Sequence, residues 1–118
     1  GLRHLGAGGQ IENLSGLEHA VNLIELFLGK CQISDLTPLS SLQCLEALDV
    51  GRNQVTDISP LASMSTLSEV VLRNNQINDI RPLLHMLNLH IAAISNNPLD
   101  QERINVHIPE LRSRRLLG

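Results

Sequence analysis

Three glycines, Gly6, Gly8 and Gly9, crowd into four residues near the start of the chain. A glycine-rich turn can cradle a phosphate on its backbone N–H groups when a helix follows and Lys-Ser/Thr closes the loop. Neither follows here, where the chain continues Gln10-Ile11-Glu12-Asn13. The five histidines, His4, His19, His85, His90 and His107, could ligate a metal or carry protons. No cysteine or carboxylate stands at metal-ligand spacing beside them, and no Ser-His-Asp set shares a surface. Cys31 and Cys44 flank a whole strand's length, ~15 Å, and a disulfide needs Cα atoms within about 7 Å. Two thiols not joined to each other fit a reducing compartment slightly better, so the cytoplasm is favoured over a secreted or cell-surface setting. Asn13-Leu14-Ser15 has glycosylation spacing, and Arg112 to Arg115 reads as a solvated helix end. No enzyme, cofactor or metal site is expected.

Composition narrows the classes further. A chain of 118 residues holds one domain, and 42% apolar content gives it a core. With no Trp, no Tyr and a single Phe, that core is built from Leu, Ile and Val. A net charge of −3 gives no reason to expect nucleic acid or a membrane surface. No apolar run reaches the ~18 residues of a span. The chain opens on Gly1 rather than Met, which points to a trimmed sequence.

The elements that must position any site emerge from a 22-residue period. Leu23, Leu45, Leu67 and Leu89 keep this step, as do Leu26, Leu48, Val70 and Ala92. Leu28, Val50, Leu72 and Ile94 form a third column, and Cys31, Asn53, Asn75 and Asn97 a fourth. Around Leu48 and Val50 the apolar residues alternate, which predicts a short strand. Beyond Asn53 they come every third position, at Val55, Ile58, Leu61 and Met64, which predicts a tight helical or 3₁₀-like return. Pro38, Pro60 and Pro82 recur where such a turn opens. A unit of this kind cannot bury its apolar face alone, so neighbours must stack. An inward Asn carries both donor and acceptor and can satisfy the backbone of its own and the adjacent turn. The column is therefore read as a ladder.

"LEALDVGRNQVTDISPL" and "LSEVVLRNNQINDIRPL" resemble a leucine-rich repeat of the 22-residue class, found in bacterial internalins and in a eukaryotic phosphatase regulatory subunit. The resemblance implies an α/β fold, a right-handed leucine-rich-repeat solenoid with a parallel β-sheet on the concave face and 3₁₀ or short helices on the convex face. For function it implies non-enzymatic protein recognition. Repeats are expected over residues 1–99 (four clear strands and a degenerate first repeat) and a helical C-terminal cap over 100–118. In the cap, Asp100 is the expected N-cap, Pro109 opens a second helix, and Leu99, Ile104, Ile108 and Leu111 fold over the last repeat.

In this register the glycines find a place. Gly8 and Gly9 fall at the turn of the first repeat, and Leu5 to Ile11 is one residue shorter than Leu26 to Ile33. The first repeat is thus degenerate and shows no cap. An open parallel edge invites pairing, so a weak homodimer through residues 2–8 is a second expectation. The outward strand residues are free for a partner: Glu25 and Phe27, Asp49, Glu69, Val71 and Arg73, and Ile91. Phe27 and Val71 make a small apolar strip with Asp49 between them and Glu25 and Glu69 beside it. Five strands give only ~350 Å² of concave area at ~4.8 Å per strand, against ~800 Å² per side for a standard interface. Weak binding, help from loops, or further repeats in the native protein would reconcile the two. The main reading is a recognition scaffold with an unknown protein partner. The alternative is an assembly element docking through its N-terminal edge, or a fragment of a larger protein.

Overall fold

The computed structural model describes residues 3–6 and 13–100. The expected turn at Gly8 and Gly9 lies outside them, as does the expected cap beyond Asp100. Five three-residue strands are formed: β1 (His4–Gly6), β2 (Glu25–Phe27), β3 (Ala47–Asp49), β4 (Glu69–Val71) and β5 (Ile91–Ala93). They make one parallel sheet in chain order. Leu5, Leu26, Leu48, Val70 and Ala92 lie opposite one another at the strand centres. From Leu26 onward this column is fully buried, as alternation predicts. Glu25 pairs with Ala47, 22 residues on, but His4 pairs with Glu25 after only 21. The missing residue of the first repeat therefore shows in the sheet register.

Behind the sheet the chain returns through 3₁₀ turns at Leu17–His19, Thr37–Ser41, Ser59–Ser63 and Arg81–His85. Each five-residue turn carries Pro in its first positions, where no N–H is needed. Leu39, Leu61 and Leu83 are buried inward anchors that donate to the carbonyls of Leu36, Ile58 and Ile80. Just before each turn an aspartate does the capping. The Oδ1 atoms of Asp35, Asp57 and Asp79 accept from the N–H groups of Thr37, Ser59 and Arg81 at 2.9, 2.9 and 3.0 Å. The side-chain and backbone hydrogen bonds from Thr37 hold the Asp35 carboxyl below its usual value of 3.8. Its folded form thus resists protonation more than its unfolded form does. The resulting stability is complete above the unfolded value, about 4, and is lost as pH falls through the lower folded value. In urea titrations between pH 6 and pH 2, wild type should therefore lose more of its midpoint on acidification than Asp35→Asn.

The asparagine ladder closes the interior. Asn53 Nδ2 donates to the carbonyls of Leu28, Val50 and Gly51 at 2.9, 2.8 and 3.1 Å, while its Oδ1 accepts from Ile33 N–H at 3.0 Å. Asn75 and Asn97 repeat the pattern one and two repeats later. Each asparagine thus ties its own turn to the repeat before it, as the column predicts. Cys31 takes the first rung, with its thiol 3.7 Å from the Gly29 carbonyl. The residue before each rung, Lys30, Arg52, Asn74 or Asn96, has a left-handed backbone with φ of 58, 58, 58 and 60°. This turns the chain out of the strand so that the next side chain points inward.

Candidate partner-binding surface

The strand residues that face away from the core form two rows across the concave sheet. One row runs His4, Glu25, Ala47, Glu69 and Ile91, and the next Gly6, Phe27, Asp49, Val71 and Ala93. Phe27, at 43% exposure, and Ile91, at 49%, are exposed large apolar side chains on this face. Glu25, Asp49 and Val71 are half-buried, while Glu69 and Arg73 are exposed. Six of the seven residues expected on this face, Glu25, Phe27, Asp49, Glu69, Val71 and Ile91, stand in these strand rows, and Arg73 follows beyond the end of β4. Ala93, in the second row, and Gly51, just beyond β3, are buried.

Charge is sorted along the strands. At their N-terminal ends stand Glu25, Glu46 and Glu69, with His4 Nδ1 2.6 Å from Glu25 Oε1. Beyond their C-terminal ends stand Lys30, Arg52 and Arg73. The backbone ladder continues there, with Lys30 N–H donating to Gly51 C=O at 3.0 Å and Arg52 N–H to Arg73 C=O at 2.8 Å. Adjacent turns are thereby locked side by side.

A shallow cavity of about 280 Å³ opens between these turns, walled by Lys30, Arg52 and Arg73, with Asp49 and Val71 on the strand side. Gly29 and Gly51 give it depth. A Cβ on Gly51 would sit 3.2 Å from Asp49 Oδ1 and 3.5 Å from the Arg73 carbonyl. Asp49 Oδ1 accepts at 2.9 Å from the N–H of Gly51, which also lines the cavity. The ion pairs among the described residues are His4–Glu25, His19–Glu18 and Arg81–Asp79, so none involves the three cations of this cavity.

Sequence reasoning found Arg73 and missed Lys30 and Arg52, because it stopped where the strand alternation stops. The available signal was the column itself, since positions 30 and 52 are both basic and one period apart. Elsewhere, Cys31 is buried and Cys44 exposed, with no disulfide between them. Asn13 Oδ1 accepts from Ser15 N–H at 3.1 Å in an exposed turn. Among the described residues no group of three or more His, Cys, Asp or Glu could hold a metal ion, and no helix is long and apolar enough to cross a membrane.

Comparison with known proteins agrees with this architecture. Residues 21–63 match the family described as leucine-rich repeats in two copies. An internalin of Listeria monocytogenes, InlF, is similar over 86% of this chain with 33% identity and a TM-score of 0.71. A leucine-rich-repeat protein of Leptospira interrogans matches 82% of the chain at 22% identity, also with a TM-score of 0.71, which speaks for the fold alone. The chain spans 28% and 25% of the length of these two proteins. No curated protein gives a significant match. The period, the parallel sheet, the asparagine ladder and these likenesses agree that the chain is a leucine-rich-repeat protein of internalin-like type.

Proposed function

We propose that this chain is a recognition scaffold that binds a protein partner through its concave sheet. Leucine-rich repeats generally serve protein–protein interaction, and this family is typically non-enzymatic. The observation that carries the reading is the placement of Phe27. The only aromatic residue of the chain stands on the sheet face, where it does no packing in the core. Val71 lies two strands away in the same row, roughly 10 Å along the sheet, so an apolar partner group can span both across Asp49. A pull-down from source extract tests this, with Phe27→Arg/Val71→Arg as the paired bait. Proteins retained by wild type and lost by the double variant support concave-face binding; identical retention by both baits counts against it.

A second reading, self-association through residues 2–8, draws on β1 lying at one end of the strand order. Its signature is a concentration-dependent mass in light scattering. A strictly monomeric mass at high concentration contradicts it.

A further inference from the structure

We propose that the cavity walled by Lys30, Arg52 and Arg73 seats a carboxylate side chain of the protein partner, while an apolar neighbour of that residue packs on Phe27 and Val71. This rests on the concave-face reading and adds the partner's chemistry to it: an acidic–apolar segment laid along the strand direction.

Three features carry the assignment. The cavity is continuous with the apolar strip, because Val71 and Asp49 belong to both. Its charge is unbalanced, with three cations against the single carboxylate of Asp49, whose Oδ1 is already engaged by Gly51 N–H. Elsewhere among the described residues, Arg81 and its acid are joined by close contacts, the shortest 2.6 Å. No such ion pair meets Lys30, Arg52 or Arg73. The cavity's floor is kept open by Gly29 and Gly51, and a side chain at Gly51 would crowd Asp49 and the Arg73 carbonyl.

The occupant is a discrete acidic group rather than a polyanion surface. The chain as a whole carries −3, and Glu25, Glu46 and Glu69 line the opposite end of the same strands. An extended polyphosphate or anionic bilayer would meet those acids as soon as it reached the cations. A single carboxylate beside a leucine-like group meets only the favourable end. Such pairs at a rim act through charge complementarity, are screened by salt, and fix the direction in which a segment lies.

The test uses three labelled peptides of one backbone, each with alternating leucines and with Glu, Gln or Lys between them. Fluorescence anisotropy is read against wild type, Arg52→Glu/Arg73→Glu and Phe27→Arg/Val71→Arg. The Glu peptide should bind wild type at least about tenfold more tightly than the Gln peptide, and the preference should fade with added salt. Arg52→Glu/Arg73→Glu should abolish that preference and favour the Lys peptide. Circular dichroism and urea midpoints verify that each variant is folded. Equal binding of Glu and Gln peptides, no binding of any peptide, or binding only to phosphatidylserine vesicles overturns the assignment. The same variants in the pull-down separate the two readings. Loss of the retained protein with Phe27→Arg/Val71→Arg but not with Arg52→Glu/Arg73→Glu leaves concave recognition standing and removes the carboxylate seat. Retention by both variants removes both.

Discussion

Asn53→Ala should destabilise the fold by about 3–5 kcal/mol, more than the same change at Asn75. The difference comes from which backbone groups lose their only partner. Removing Asn53 orphans the Ile33 N–H and the Leu28 carbonyl, neither of which has another hydrogen bond among the described residues. The other two carbonyls keep a donor, Val50 from Asn75 and Gly51 from Lys30 N–H. Removing Asn75 orphans only the Val55 N–H, because the Val50, Leu72 and Arg73 carbonyls are shared with Asn53, Asn97 and Arg52 N–H. A buried unsatisfied group costs about 1–3 kcal/mol, and Asn53 is only 8% exposed, so water has little access. Against a typical total of about 5–15 kcal/mol, the Asn53 variant lies near the edge of folding. Urea denaturation followed by circular dichroism measures the order. An Asn75→Ala variant as damaged as Asn53→Ala, or more so, would contradict the partner count.

Leu48→Ala is the second large expectation, at about 3–5 kcal/mol, the upper half of the range for buried Leu→Ala. Leu48 is 1% exposed and lies in register between Leu26 and Val70, with buried neighbours on both sides. Because repeats contact only their neighbours, a cavity there weakens two interfaces at once. Half-buried Leu5, in the first strand, has a neighbour on one side and should cost about 1–2 kcal/mol when truncated. Thermal unfolding of the two variants measures this. Equal losses would mean that the repeats do not couple through the Leu26–Leu48–Val70 column.

How much of this was legible beforehand depends on how each feature repeats. The core columns and strand faces were readable because stacking forces the same residue class at the same phase four times over. Leu26, Leu48, Val70 and Ala92 are all buried at strand centres. The asparagine ladder was readable too, since an inward amide has few other uses at a turn. Asp57 and Asp79 stand in the quoted repeats and Asp35 one period before Asp57, but their capping role was not legible, because Asp near the surface is compatible with many loops. The basic cavity escaped for another reason. It is built by residues beyond the strand ends, with Lys30 and Arg52 in left-handed turns whose direction no apolar pattern announces. Gly29 and Gly51 also line it, and a Cβ at Gly51 would meet Asp49 Oδ1 at 3.2 Å.

The measurement closest to the central claim is a titration of the captured partner against three purified proteins: wild type, Phe27→Arg/Val71→Arg, and Leu87→Arg. Leu87 is the matched control, since at 84% exposure it is more exposed than Phe27 but lies between the Arg81–His85 turn and β5, off the sheet strands. Concave recognition predicts an affinity about tenfold or more weaker for the double variant and unchanged for Leu87→Arg. Equal affinities for wild type and the double variant, or a loss confined to Leu87→Arg, would place the binding surface elsewhere and contradict the account.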